Sequence, residues 1–319
     1  MPYRQTAVAG IPAIALQSRH LELVVLPTIG GKISHLHRRT GREWLWQSEQ
    51  IPLALPREGA SFAETGDSGG WDECFPTIGA SPVPGVPGNI MLPDHGELWS
   101  APWQCTVYER PACTVFSGTV RGRRLPYEFQ REVLLDRNDP VIWVRYRLRH
   151  LGQQPFPFVW SAHPLFNVQP GFRLALPGVR RVRVDGVHGR GDVRRGQELP
   201  WPPDGAGESF VFPATDRWAM KLFADFGKGG RAVVTDPSSG EQLEVRPANG
   251  EIPHIGIWIN CRGWAPAGRT PYYNVGLEPC IGAPDRLDEA VLGWKAFGTL
   301  EPGEERLWGV EVEVRESRQ

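Results

Sequence analysis

Hydrophobic and polar residues alternate over short stretches along most of the chain. In VIWVRYRLR (141–149), Ile142, Val144, Tyr146 and Leu148 share one face, and Arg145, Arg147 and Arg149 share the other. Near the C-terminus Trp308, Val310, Val312 and Val314 alternate with Glu311 and Glu313. A period of two is the mark of a half-buried strand. LELVVLP (21–27), GKISHLHRR (31–39), WQCTVYER (103–110), CTVFSGTVRG (113–122) and YEFQREVLLD (127–136) carry related patterns, and short apolar runs continue as far as NVGLEP. Only DRLDEAVLG (285–293) reads as helix. Short strands at regular intervals, separated by turn residues, predict a sandwich or barrel. The expected fold is all-β: one large antiparallel β-sandwich domain over residues 1–319. Its twisted sheets would curve around a broad concave face, the natural ligand site.

Residues 48–102 break the pattern. They are rich in Gly, Pro, Ser and acidic residues and include GDSGGWDECFPTIG (66–79) and PDHGELW (93–99). A structureless run of this length in a β protein predicts a set of functional loops. The 37 glycines and 31 prolines agree with a chain of many turns. The 13 tryptophans serve as core packing or, in a sugar-handling protein, as flat faces for sugar rings.

Charge and cysteines remove several classes. A net charge of −1 gives no basic footprint for nucleic acid. No apolar run reaches the roughly 18 residues of a membrane helix, and the N-terminus has no clear signal-peptide core, so a cytoplasmic location is expected. The 5 cysteines are odd in number and lack Cys-x-x-Cys spacing, which argues against structural zinc and a disulfide framework.

GDSGG (66–70) matches a serine-protease nucleophile loop as a string, but the barrel that should precede it is missing, and the match reads as chance. Arg180, Arg181, Arg183, Arg190, Arg194 and Arg195 lie in one basic segment that also contains Arg-Gly-Asp. That segment is either a solvated hairpin or an anion clamp for a phosphorylated ligand. His35 and His37 fall on one face of a strand without further metal ligands, and a solvent-facing strand is expected. His95 sits in a Pro/Gly-marked loop. His163 is harder to explain. It lies within PFPFVWSAHPLFNV, a run that reads as a buried strand, and Pro164 follows it. A buried imidazole needs a hydrogen-bond partner, and a proline removes a ladder donor. Glu278, in YNVGLEPCIGAPD, likewise follows an apolar strand end and precedes a proline. Two histidines and a glutamate in such contexts suit general acid–base chemistry, because modest burial brings their pKa values near neutrality.

Together HPLFN, GLEPCIGAPD, DHGELW and the opening GGKISHLHRRTGREWLWQ resemble, in order and spacing, the aldose 1-epimerase (galactose mutarotase-like) family. The resemblance implies a large β-sandwich with a concave sugar site and interconversion of the α and β anomers of a free sugar. It implies Glu278 as the base that takes the O1 proton, His163 as the acid that protonates the ring oxygen, and His95 as an assisting hydrogen-bond donor. No metal, nucleotide or redox cofactor is required. The expected partner is a small sugar, not nucleic acid or a membrane, for a monomer or homodimer. WDECFPT (71–77) stands where the better-known galactose mutarotases carry a histidine- and arginine-containing string. Trp71, Asp72 and Glu73 are therefore expected to hold sugar hydroxyls by stacking and hydrogen bonds. The competing expectations are a hexose-phosphate mutarotase, a non-catalytic carbohydrate-binding or sensing module, and a glycoside hydrolase or lyase. A hydrolase would need a second carboxylate beside Glu278, for which Asp72, Glu73 and Glu97 are the candidates.

Overall fold

The structure, a computed structural model, describes residues 2–205, 207–227 and 229–316. Strands dominate it. One sheet has eleven strands and begins with a meander: Tyr3–Val8, Ile11–Gln17, Leu21–Leu26 and Lys32–Arg38. Ala9 and Gly10 join the first pair with positive φ at both positions (50° and 80°), the conformation that matches the twist of a tight hairpin. After this meander the sheet takes its strands from distant parts of the chain. Trp71–Cys74 is followed across the sheet by Trp160–Phe166, Tyr273–Ile281, His254–Cys261, Trp218–Asp225, Arg181–His188 and Glu198–Pro200.

The second sheet has nine strands. Its centre is an antiparallel run of Cys113–Arg121, Tyr127–Asp136, Val141–His150 and Glu305–Glu316. Here the alternation behaves as expected. Ile142, Val144, Tyr146 and Leu148 are buried, whereas Arg145, Arg147 and Arg149 face solvent. On the last strand Trp308, Val310, Val312 and Val314 are buried as well. Leu287–Glu289 and the wider turn Ala290–Trp294 form the one helical segment expected from the C-terminal pattern.

The inner faces of both sheets contribute to one apolar core, which makes the fold a β-sandwich. A polar knot crosses it. Arg131 on the nine-stranded sheet pairs with Glu73 on the other at 3.0 Å, and both side chains are fully buried. Glu73 also accepts hydrogen bonds from the Tyr146 hydroxyl (2.9 Å) and the Trp160 indole (3.1 Å). A buried carboxylate survives only with its partners in place.

Residues 48–102 are mostly connecting loops, but they also supply the strand Trp71–Cys74 of the eleven-stranded sheet, a small two-stranded sheet of Ser81–Pro82 and Met91–Leu92, and a single turn of wide helix at Phe62–Gly66. Among the described residues, no helix is long and apolar enough to cross a membrane.

Candidate active site

The centre of the eleven-stranded sheet contains a local fault in its hydrogen bonding. Trp160–Phe166 and Tyr273–Ile281 pair through Ser161↔Cys280 at one end and Leu165↔Gly276 at the other. The same register carried inward sets His163 directly opposite Glu278. The Leu165 amide donates to Gly70, so odd positions of this strand bond toward Trp71–Cys74 and even positions toward Tyr273–Ile281. Pro164 and Pro279 thus fall where each strand would have donated to the other, and neither has an N–H. The Ala162 carbonyl, deprived of the donor Pro279 would have supplied, accepts from the Ser161 hydroxyl at 2.9 Å instead. The two strands are held at both ends of the fault, and the catalytic candidates stand between the two prolines.

His163 Nε2 lies 3.9 Å from Glu278 Oε1. Both residues are buried (7% and 0% exposed), and both line one cavity of about 340 Å³. Glu278 has room because two glycines flank it: Gly256, opposite it on His254–Cys261, and Gly276, two residues earlier on its own strand. A Cβ at Gly276 would come within 2.9 Å of Oε1, and one at Gly256 within 3.3 Å of Oε2. Lys221, on Trp218–Asp225, donates to Glu278 Oε2 and lies 3.3 Å from Asp285 Oδ1. These two carboxylates raise the Lys221 pKa against the opposing effect of burial, so the ammonium stays charged. Glu278 Oε1 and His163 Nδ1 have no hydrogen-bond partner among the described residues.

The loops supply the opposite wall. Asp94, His95, Phe62 and Asp67 come from residues 48–102, as the loop reading expected. His95 has φ 58°, a left-handed turn conformation, and Gly96 follows at φ 72°. A Cβ on Gly96 would strike the Phe75 carbonyl at 2.1 Å, so the loop can seat there only with glycine. The His95 ring stacks on Phe62 (3.9 Å, 14°) and meets His163 edge to face at 5.1 Å. Its Nδ1 lies 2.9 Å from Asp94 Oδ1, which leaves Nε2 for a ligand.

The two imidazoles are driven in opposite directions. Burial, and then the charges of His95 and Lys221, push the His163 pKa well below the ordinary histidine value, so this ring is neutral. Burial also pushes His95 down, but the Asp94 carboxylate and its hydrogen bond outweigh it, and His95 ends above the ordinary value. Burial raises Asp67 and Asp285 to about 6 each.

Three expected site residues sit elsewhere. Trp71 and Glu73 point into the sandwich core, Trp71 at 1% exposure and Glu73 in the Arg131 knot. Asp72, between them, faces the outer side, but Lys32 Nζ caps it at 2.5 Å. None of the three lines the cavity. The reason is the period-two alternation of a strand: three successive residues cannot all face one ligand. Glu97 is not a second catalytic carboxylate either. It accepts from the backbones of Arg123 and Arg124 and from the Tyr127 hydroxyl, and it anchors a loop.

Four arginines of the basic segment are engaged by partners within it or close by. Arg195 binds Asp185 and Glu289, Arg190 binds Asp192, Arg181 binds Glu198, and Arg183 stacks over Trp294 at 3.8 Å. None of these arginines lines the cavity. His35 hydrogen-bonds Ser34, and among the described residues no group of three or more His, Cys, Asp or Glu is arranged to hold a metal ion.

Sequence reading missed Lys221, Asp67, Tyr272, Trp258, Trp264 and Asp285. Lys221 did leave a signal: a lysine in the middle of the apolar strand WAMKLFAD is as anomalous as the histidine in WSAHPLF.

In sequence the chain matches no protein-family model and none of the curated proteins. In structure it is similar to the Slr1438 protein of Synechocystis sp. PCC 6803, with a TM-score of 0.71 at 18% identity, over 98% of this chain and 100% of that one. A galactose mutarotase related enzyme from Lactobacillus acidophilus superimposes with a TM-score of 0.67 at 16% identity, over 96% of this chain and 98% of that one. A galactose mutarotase-like protein from Clostridium acetobutylicum gives a TM-score of 0.67 at 14% identity, covering 98% of each chain. Identities this low establish the fold: the chain has the large β-sandwich of galactose mutarotase-like proteins. The chemistry has to be argued from its own site.

Proposed function

We propose that the chain is an isomerase of the aldose 1-epimerase (mutarotase) type, which interconverts the anomers of a free, uncharged sugar. One observation carries the reading: His163 Nε2 and Glu278 Oε1, 3.9 Å apart, are buried on one cavity, and this oxygen of Glu278 is unpartnered. Opening a hemiacetal removes the proton on O1, breaks the C1–O5 bond and adds a proton at O5. Glu278 takes the O1 proton. The aldehyde rotates about C1–C2, O5 attacks the other face, and both protons return. Positioned proton transfers of this kind contribute typically about 10²–10⁴-fold each.

The identity of the acid follows from the charges. The resemblance implied His163, but a neutral imidazole has no proton to spare near neutral pH. His95 is the imidazole whose pKa Asp94 raises above the ordinary histidine value, against the effect of burial. His95 as acid, with His163 donating a hydrogen bond to O5, is the assignment the electrostatics support. Lys221 holds the Glu278 carboxylate in place through its other oxygen. Trp258, Trp264 and Tyr272 offer flat faces to the sugar ring.

The cavity carries the carboxylates of Asp67, Asp94, Asp185, Asp285 and Glu278 against Lys221 and His95. That balance favours a neutral sugar over a sugar phosphate. Polarimetry of freshly dissolved α-glucose and α-galactose tests the proposal. Rates above the buffer rate that vanish in Glu278→Gln support it. Sugar binding by calorimetry without any anomerisation would make the chain a binding module instead.

A further inference from the structure

Beside the His163–Glu278 cavity lies a second one of about 940 Å³. Tyr272 lines both. Its hydroxyl donates to Asp67 Oδ2 in the first cavity at 2.9 Å, while its ring stacks on Trp46, which lines the second, at 4.5 Å and 29°. Trp46 is fixed close to the reacting pair, because its amide donates to the carbonyl of Leu165, itself a wall of the first cavity. On the other side of Tyr272, Trp264 meets it edge to face at 6.0 Å and Trp258 meets Trp264 at 5.6 Å. A continuous belt of aromatic faces therefore runs from the second cavity into the first.

The rest of the second cavity is polar. Glu49, Asn167 and Arg262 line it beside Trp46 and Tyr273. Aromatic faces for the C–H sides of sugar rings, with hydrogen-bonding side chains between them, are what a saccharide track requires. A single monosaccharide at His163 and Glu278 would leave this second space unused.

Resting on the mutarotase reading of the first cavity, we propose that the second cavity is a saccharide subsite. The substrate is then the reducing end of a saccharide of two or more units. Its reducing sugar lies between His95, His163 and Glu278, and the next unit lies across Tyr272 against Trp46. This assigns Trp46 a binding role and makes substrate length a determinant of specificity.

The test compares maltose, cellobiose and lactose with glucose and galactose, in both binding and anomerisation. At least one disaccharide should bind about tenfold more tightly than its monosaccharide, about 1.4 kcal/mol. Trp46→Ala should remove that advantage. Gln169→Trp, an exposed position at the cavity wall, fills the space without touching the first cavity, and it guards against a Trp46 variant that fails to fold. It should lower disaccharide affinity about tenfold and leave monosaccharide anomerisation within about twofold of wild type. Calorimetry reads binding directly, so a chain that anomerises nothing but binds disaccharides through Trp46 refutes the catalytic reading and keeps the subsite. Disaccharides that bind no more tightly than monosaccharides, or a Gln169→Trp variant that retains full disaccharide affinity, would overturn the subsite.

Discussion

Asp94→Asn separates the two histidines by their charge. The substitution keeps a hydrogen-bond acceptor beside His95 and deletes the negative charge 2.9 Å from its Nδ1. Two unit charges about 4 Å apart at an effective dielectric near 20 interact by about 4 kcal/mol, which is about three pKa units at ~1.4 kcal/mol per unit. The side chains are 18% and 32% exposed, so water screens part of this. A net loss of about one to two units is expected. Burial is then opposed mainly by the more distant charge of Asp285, and the His95 pKa falls. An acid works only while protonated, so activity is present below its pKa and is lost as pH rises through it. In the wild type the alkaline limb of kcat/KM should therefore lie above the ordinary histidine value. In Asp94→Asn it should move down by about one to two pH units, with the rate above both values reduced about 10- to 100-fold and recovered on acidification. The assay is polarimetric anomerisation across the weakly acidic to weakly alkaline range, with the buffer rate subtracted. A variant whose rate falls while its limb stays in place refutes His95 as the titrating acid. A wild-type limb well below the ordinary histidine value, where the depressed pKa of His163 lies, returns the role to His163.

Four further outcomes follow from the geometry. Gly276→Ala should displace the Glu278 carboxylate, whose Oε1 would lie 2.9 Å from the new Cβ, and lower kcat more than it lowers stability, as read by polarimetry beside a thermal melt. Lys221→Met should destabilise the fold by about 3–5 kcal/mol in urea melts by leaving buried carboxylates without their cation, and adding Glu278→Gln should restore part of that loss. Arg131→Met should cost a similar ~3–5 kcal/mol by stranding Glu73 in the core, without altering the KM of any variant that still folds. Sugar 6-phosphates should compete no better than free sugars at low salt, and a preference for them that fades with added salt would restore the anion-clamp reading of the arginine segment.

The short-range pattern of the chain determined a good deal. Alternation along 141–149 and 308–314 fixed which side chains face the core, because a strand turns its residues by half a revolution each time and water enforces the choice. Histidine and glutamate beside prolines inside apolar runs stood out, since burying such groups is costly without partners, and the two line one cavity. The alternation of a strand, applied to Trp71, Asp72 and Glu73, would have warned that they could not act together. Which carboxylate meets Arg131, which lysine meets Glu278 and which imidazole keeps its proton were decided only in the folded molecule. The central strands of the site come from residues near 72, 163, 221 and 278, and their neighbours are set by sheet order and register, which no local pattern encodes. Charge then does the rest: a proton's place depends on distances of a few ångströms in a dry cavity, and those distances exist only after the strands have met.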